Sequence, residues 1–368
     1  MKLNKIKTLI EFNKTKTSGK TILYGCYPHI VKDKLYWQSR TNTKNSIEYA
    51  IIDNCRKLVD VPAKNETLAN SLACQNFRVF YDTNPSCDKD KKWKAIGGYH
   101  VGRASIKNYS PSFDLMNSPL HQELKDCKLS KFLSVIPVQD VVWPNETRLL
   151  FEDDFFHPKH ANGFYIFSSA DGINWETYSE KPILSALTVC KDGMNLGSDN
   201  LPSIFYDPNL NEYTAYLRCN IRLGVRNVLM TSSKDLKSWT KPKLIQKNPK
   251  FDSTCENLYF FDAYYNQTLG TYIGFAPHFK NKILKKDGSQ RKYYDAKTLI
   301  MASSDKIHWR IIDTIFNESS SGHLTQRHVI AFEEGDESYY IYSHENFMTG
   351  RNKIVKYGID KHELENLL

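Results

Sequence analysis

One pattern recurs three times along the chain and constrains the fold more than any other feature. The segments 166–175, 229–239 and 300–309 each consist of an apolar strand, a Ser-Ser pair, an Asp-bearing turn and a tryptophan. They recur at intervals of about 65 residues, which suits a four-stranded antiparallel blade with long loops better than a solenoid repeat. We interpret each tryptophan as a blade-packing residue, because large aromatic side chains bury the most area.

A second recurring unit lies between these signatures. The segments 79–85 and 203–209 are apolar runs that end in an Asx-Pro turn, and each leads into another aromatic strand. This pattern is typical of a β-hairpin, and we interpret Asp82 and Asp207 as turn residues.

Counting these units predicts the architecture. Five units are recognisable, at about 22–65, 72–185, 196–248, 253–316 and 322–362. Five antiparallel sheets around one axis form a five-bladed β-propeller, in which radial closure protects the sheet edges. We therefore predict an all-β fold.

The predicted domain organisation follows from the same count. A basic N-terminal tail over 1–20 precedes a single propeller domain over 21–368. The second blade carries a long insertion at about 103–160, with one helix expected over 119–135. Long insertions in compact domains are either binding loops or plain surface excursions, and the sequence leaves both open.

Composition excludes several classes of protein. The chain has 40% hydrophobic and 25% charged residues, and no apolar stretch reaches the about 18 residues that a membrane-spanning helix needs. The net charge of +9 comes in short runs that include acidic residues, which argues against a nucleic-acid groove. Eight cysteines without a C-x-x-C pair argue against a zinc site. We expect a cytoplasmic protein without nucleic-acid or membrane partners.

Several stretches of the chain resemble a known superfamily. They are 76–85, 94–98, 168–175, 198–205, 224–226, 256–259 and 272–275. They resemble the five-bladed β-propeller glycosidases that include arabinanases, invertases and levansucrases, and more closely the uncharacterised glycosidase-related members of that superfamily. The resemblance implies a carbohydrate-active enzyme, although a fold does not fix a function. The sialidase Asp-box is a poorer match, because it needs one more residue between Asp171 and Gly172 and a sixth blade.

Polar residues stand just before the innermost strand of each predicted blade. Because these strand starts converge on one mouth of a propeller channel, we predict a site there. The predicted substrate-binding residues, with two arginines and a tyrosine from nearby strands, are His29, Gln75, Asn76, Asn200, Arg218, Arg226, Tyr259, Arg327 and His328. The arginines suit a phosphate, a sulfate or a uronate carboxylate, so we expect a carbohydrate substrate that can be anionic.

Glycoside hydrolysis needs two carboxyl groups, and Asp199 and Glu256 are the predicted catalytic pair. We assign Glu256 as the general acid, because shielding by Tyr259 and Phe260 would disfavour its charged form. Asp199 would act as the base or hold the sugar. The resemblance implies a third carboxylate in an earlier blade, but residues 75 and 76 are Gln and Asn there.

The leading hypothesis is therefore a glycoside hydrolase with a two-carboxylate mechanism. The alternatives are a glycoside phosphorylase and a catalytically inactive sugar-binding propeller, and the two acidic residues could also be turn-capping groups. We predict no cofactor and no metal site, with a structural calcium ion left open. The sequence predicts neither the sugar nor the oligomeric state.

Overall fold

A computed structural model of the chain describes most of the propeller. The described residues are 1–11, 15–17, 20–40, 45–52, 63–64, 76–98, 163–178, 184–185, 201–220, 226–250, 255–283, 291–318, 327–346 and 352–368. The insertion expected at about 103–160, with its helix over 119–135, lies outside them.

Within these ranges the chain is almost entirely β-structure. In chain order the strands are β1 (Asn4–Glu11), β2 (Thr15–Thr17), β3 (Lys20–Val31), β4 (Lys34–Arg40), β5 (Asn45–Ile51), β6 (Ala63–Lys64), β7 (Arg78–Tyr81), β8 (Trp93–Gly98), β9 (Gly163–Ser169), β10 (Glu176–Thr177), β11 (Leu184–Ser185), β12 (Ser203–Asp207), β13 (Glu212–Asn220), β14 (Arg226–Ser233), β15 (Lys243–Leu244), β16 (Gln246–Asn248), β17 (Glu256–Leu258), β18 (Asp262–Asn266), β19 (Thr271–Ile283), β20 (Arg291–Ser303), β21 (His308–Glu318), β22 (His328–Glu334), β23 (Ser338–Glu345) and β24 (Lys353–Asp360).

In the described ranges these strands form five sheets, one for each predicted blade. Their orders are β2-β3-β4-β5-β6, β10-β9-β8-β7, β12-β13-β14-β15, β16-β21-β20-β19-β17 and β1-β24-β23-β22, with β11 beside β9 and β18 beside β19. The pairs are antiparallel except β16 with β21. The inner strands contact one another in a ring, in the order β22, β3, β7, β12, β18 and back to β22. The predicted five-bladed β-propeller is confirmed.

The hydrophobic core consists of layers between neighbouring blades rather than one central cluster. Phe80 and Ile204 belong to the layer between blades two and three, and Tyr216 and Leu258 to the layer between blades three and four. Three further layers join the remaining neighbours, including the first blade to the fifth. Each sheet therefore has apolar side chains on both faces, which is what a blade packed between two others requires.

The ring is closed by the N-terminus. Strand β1 pairs antiparallel with β24, from Asn4 opposite Gly358 to Glu11 opposite Lys353, and forms the outer strand of the fifth blade. The prediction that residues 1–20 form a tail is therefore wrong for Asn4–Glu11. Because the fifth blade combines strands from both ends of the chain, it joins the last sheet to the first.

The recurring signature is a turn built from the same hydrogen bonds three times. In its third copy the Ser303 hydroxyl accepts the Lys306 N–H at 2.9 Å, and the Asp305 carboxylate accepts the N–H groups of Ile307 and His308 at 2.9 and 2.7 Å. The other two copies make equivalent bonds from Ser169 and Asp171 and from Ser233 and Asp235. Trp175 and Trp309, which follow these turns, are buried, and Trp239 is half-buried.

One position of this turn has a left-handed backbone in every copy. Gly172, Leu236 and Lys306 have φ angles of 76°, 63° and 71°. Glycine is required in the first copy, because a Cβ atom there would lie 2.6 Å from the Tyr36 hydroxyl and 2.8 Å from the Trp93 ring. The Tyr36 hydroxyl donates to the Gly172 carbonyl at 2.9 Å, which joins the first blade to the second.

A buried aspartate at the end of an inner strand binds a tyrosine of the next blade. The Tyr213 hydroxyl donates to Asp82 at 2.8 Å, and the Tyr272 hydroxyl donates to Asp207 in the same way. Both aspartates are fully buried, and each also accepts a backbone N–H of its own turn. The interpretation of Asp82 and Asp207 as turn residues is confirmed, and we call each Tyr–Asp pair an inter-blade latch.

The described ranges contain one α-helix, α1 (Lys361–Glu365). The Asp360 carboxylate caps its N-terminus by accepting the Glu363 N–H, and Leu364 is buried in the layer between blades four and five. None of the helices in the described residues has the length and hydropathy to cross a bilayer. The expected cytoplasmic location stays a prediction.

The latch generates a test of stability. Tyr213→Phe leaves the buried Asp82 without its hydroxyl donor, so we expect the free energy of unfolding to fall by about 1.5 to 3 kcal/mol. The measurement is urea unfolding followed by tryptophan fluorescence. Tyr294→Phe is the control, because Tyr294 is 39% exposed and should shift stability by less than about 0.5 kcal/mol. Equal effects of the two variants would contradict the latch.

The signature turns generate a pH dependence. Partial burial raises the pKa of Asp171 and of Asp305, but the N–H groups that each accepts outweigh it and lower both pKa values to about 2. The stabilisation that the two ionised carboxylates give the folded state is fully present above the unfolded pKa of about 4. It is lost as the pH falls toward 2. The double variant Asp171→Asn, Asp305→Asn should lose less stability than the wild type between pH 5 and 2. Acid unfolding curves in which the wild type and the double variant lose the same amount of stability would contradict this expectation.

Candidate functional site

The inner strands of all five blades surround a cavity on the propeller axis. Its lining includes at least one residue of each blade, namely Tyr27, Arg78, Leu201, Phe260, Asp262 and His328. The space inside it is small, about 20 Å³ or roughly the room for one water molecule, and it opens to solvent at a mouth. Mostly apolar walls with a few polar groups are typical of small-ligand sites. The cavity lies at the starts of the inner strands, which is the end of the channel where we predict the site.

A buried ion pair bridges the axis inside this cavity. The Arg78 guanidinium of blade two donates to the Asp262 carboxylate of blade four at 2.7 Å, and both side chains are about nine-tenths buried. Burial lowers the pKa of Arg78, but the carboxylate beside it raises that pKa by more, which keeps the guanidinium charged. Each charge is neutralised by the other, so the pair fixes the position of two opposite blades.

The predicted ligand-binding His29 has a structural role in the described chain. Its Nε2 atom accepts the Val79 N–H at 3.0 Å, and its ring stacks on Tyr36 with centroids 5.4 Å apart. Burial, with the nearby positive charge of Arg78, lowers the pKa of His29 well below its usual value. A neutral His29 therefore joins the inner strands of blades one and two.

His328, one of the predicted substrate-binding residues, lines the cavity. Its ring packs 4.2 Å from the Phe260 ring and 6.3 Å from the Tyr259 ring, measured between centroids. His344 packs edge-on against His328 at 6.1 Å, and burial lowers the pKa of His344 to about 3. The imidazole of His328 is therefore held between the aromatic rings of blade four and a neutral histidine of its own blade.

The inner strand of blade four is interrupted at the cavity. Strands β17 and β18 both pair with β19, and the residues between them are Tyr259, Phe260 and Phe261. Phe260 lines the cavity, while Tyr259 packs beside Phe279 and still donates its backbone N–H to the Pro277 carbonyl of β19 at 2.9 Å. Strand β17 begins with Glu256 and so brings this carboxylate to the same end of the blade.

Glu256 lies in a cluster of cationic side chains. Its carboxylate is 3.3 Å from the Lys247 Nζ atom, 3.7 Å from the His278 Nε2 atom and 3.9 Å from the Lys280 Nζ atom. Two ammonium groups within 4 Å stabilise the ionised carboxylate. This environment is unfavourable for the general-acid role that the sequence suggests and suits a base, a nucleophile or a stabiliser of positive charge. Glu256 stands four residues before the cavity-lining Phe260 in the sequence and is not among the residues that line the cavity.

Two predicted binding arginines meet at Tyr259. The guanidinium carbon of Arg226 lies 5.1 Å from the centre of the Tyr259 ring, and that of Arg218 lies 5.9 Å from it. Arg226 begins β14, and its backbone N–H donates to the Asn257 side chain at 2.9 Å, which fixes it against β17. The structure therefore brings Arg218, Arg226 and Tyr259 together between blades three and four.

The remaining predicted site residues do not join this group. Asn76 is fully buried with a left-handed φ of 56°, a conformation that asparagine tolerates. Arg327 points between blades four and five, where its Nε atom lies 2.9 Å from Glu318 and 3.6 Å from Glu345. The other predictions lie outside the described residues, and they are Gln75, Asp199 and Asn200.

In the described ranges, no group of three His, Cys, Asp or Glu side chains is placed to hold a metal ion. The sequence did not mark Arg78 or Asp262 as site residues, and it gave Phe260 only a shielding role beside Glu256. A signal for the first two existed, because each is a charged residue in an otherwise apolar inner strand, four positions before the Asx turns at Asp82 and Asn266. Phe260 carried no comparable signal, since it reads as one more core aromatic.

Comparison with known proteins supports the fold. No family model matches the sequence, and a search of curated proteins finds no match either. A solved structure described as a glycoside hydrolase matches with a TM-score of 0.51 at 13% identity, over 96% of this chain and 92% of that chain. Another, described as an RGII complex of BT0996, matches with a TM-score of 0.50 at 13% identity over the same shares. The predicted resemblance to propeller glycosidases is confirmed at the level of the fold.

The ion pair on the axis generates a test. Arg78→Met leaves the Asp262 carboxylate buried without its partner, so the free energy of unfolding should fall by about 3 to 5 kcal/mol. The double variant Arg78→Met, Asp262→Asn should recover part of this loss, because no uncompensated charge remains. Chemical denaturation of the wild type, both single variants and the double variant measures the coupling. Simple additivity of the two single effects would contradict the interaction.

Proposed function

We propose that the protein is a carbohydrate-active enzyme, a glycoside hydrolase, that binds a glycan at the mouth of the axial cavity. The observation that carries this proposal is the composition of the cavity, which joins residues from all five blades. Tyr27 and Phe260, whose rings pack edge-to-face with centroids 5.7 Å apart, form an aromatic wall that suits the apolar side of a sugar, while the imidazole of His328 can bond to hydroxyl groups. The matching solved structure described as a glycoside hydrolase supports the same class of function.

The carboxylates proposed for catalysis are Glu256 and Asp199. Glu256 is the described member of the pair, and its two ammonium neighbours keep it ionised and therefore able to act as a base or nucleophile. Asp199 precedes the cavity-lining Leu201 by two residues in the sequence and stays the proposed second carboxyl group. Hydrolysis of a glycosidic bond uses two such groups, about 5 to 9.5 Å apart.

A second candidate is a sugar-binding propeller without catalytic activity. The observation that favours it is the pairing of charge around the cavity. Asp262 is neutralised by Arg78, and Glu256 is held among Lys247, His278 and Lys280. Carboxylates that form ion pairs can stabilise the fold without taking part in catalysis. The two candidates share the glycan and the cavity and differ in whether a bond is broken.

Glu256→Gln separates these candidates. The amide keeps the size of the side chain but removes its charge, so hydrolysis should fall at least about a hundredfold while glycan binding persists. Release of reducing sugar from a panel of oligosaccharides measures turnover, and isothermal titration calorimetry measures binding. The control is Glu337→Gln, an exposed glutamate on a blade-five turn, which should leave both unchanged.

Each result of this experiment decides between the candidates. Unchanged turnover in Glu256→Gln would remove Glu256 from the mechanism. Glycan binding by the wild type with no turnover on any member of the panel would instead establish the sugar-binding candidate. Absence of binding to every glycan tested would contradict both.

A further inference from the structure

We infer that the flank of the cavity between blades three and four binds an oxyanion, through the guanidinium of Arg226 above the Tyr259 ring. The inference deepens the proposed function and rests on it, since it assigns a charged group to the reaction that takes place at the cavity. The group is a phosphate, sulfate or carboxylate, and it is either a substituent of the glycan or free inorganic phosphate that serves as a second substrate.

The main observation is unused hydrogen-bonding capacity at two buried nitrogen atoms of a half-buried cation. The Nε and Nη1 atoms of Arg226 are buried and have no hydrogen-bond acceptor in the described part of the chain. Buried guanidinium donors are normally satisfied, because an unpaired one loses its hydration without compensation. The backbone N–H of Arg226 is bonded to Asn257, which holds the residue in place while its Nε and Nη1 atoms lack an acceptor within the described ranges.

The surroundings of Arg226 are positively charged. The guanidinium group of Arg218 lies against the same Tyr259 ring, with its central carbon 5.9 Å from the ring centre. The nearest described carboxylate on β17, that of Glu256, is already balanced by Lys247 and Lys280. Positive charges gathered at one site repel each other, and an anion bound between them removes this electrostatic repulsion.

The position of this group connects it to the proposed glycan site. The Tyr259 ring lies 6.3 Å from the ring of His328, which lines the axial cavity. An oxyanion bound by Arg226 would therefore lie at the edge of the cavity, within reach of a sugar at its mouth. The planar guanidinium fork matches two oxygens of one oxyanion, which a lysine cannot do.

The test measures binding and stability of the full chain with three probes: inorganic phosphate, methyl glucuronide and the neutral methyl glucoside. We expect phosphate, glucuronide or both to raise the melting temperature and to give a calorimetric binding signal. Arg226→Met should weaken that binding at least about tenfold, and Arg226→Lys should have an intermediate effect because it keeps the charge without the fork. A response to phosphate alone favours the second substrate, and a response to glucuronide favours an anionic glycan.

A second readout does not depend on any ligand. Because two buried guanidinium nitrogens of Arg226 lack an acceptor among the described residues, Arg226→Met should leave the melting temperature of the ligand-free protein unchanged or raise it. Arg310→Met is the matched control, since Arg310 lies on the outer part of blade four and donates to the Leu367 carbonyl at 3.0 Å. This control should keep the full response to the oxyanion probes.

The inference is overturned if the wild type responds to none of the oxyanions, or if Arg226→Met responds as the wild type does. It is also overturned if Arg226→Met and Arg226→Lys both destabilise the ligand-free protein strongly, because Arg226 would then have a structural partner. Failure of the proposed function is a different result, namely that no glycan, neutral or charged, binds at the cavity. Binding of neutral glycans without any oxyanion response would refute only the oxyanion site.

Discussion

Closure of the ring by β1 is the constraint on which the rest of the structure depends. Each blade is buried between two neighbours, so an open ring would expose the apolar faces of the first and last sheets. The pairing of β1 with β24 completes the fifth blade with a strand from the other end of the chain. Only in a closed ring do the starts of five inner strands surround one axis and form the cavity.

Polar contacts between blades then set the spacing of that ring. Asp82 and Asp207 each accept a hydrogen bond within their own turn and another from a tyrosine of the next blade. Each aspartate therefore fixes its turn relative to the neighbouring blade. The axis is fixed independently by the pair of Arg78 and Asp262, which joins blades that are not neighbours. Because both devices are buried, they act in a low dielectric and hold the blades at defined distances.

The sequence predicted the fold well because the repeated turn is a local device. Its serine and aspartate bond to N–H groups within three residues, so the whole motif is visible in a short window, as at Ser303 and Asp305. The role of β1 left no such trace, since its partner lies at the opposite end of the chain. The positions of the inner-strand starts indicated the end of the channel where the cavity lies. The partners of His29 and Arg327 come from other strands and blades, and no local sequence pattern encodes such contacts.

The distribution of charge around the cavity separates groups that hold the fold from groups that are available for chemistry. Arg78 and Asp262 neutralise each other and are about nine-tenths buried, so their charges hold the fold. Glu256 keeps its charge but lies beside ammonium groups, one of them on the one-third exposed Lys280 side chain, which a substrate can displace. Arg226 is the reverse case, because its buried guanidinium nitrogens lack an acceptor in the described chain. A cation held in this way stores a free-energy cost that an incoming anion removes, and this makes the flank of the cavity selective for charge.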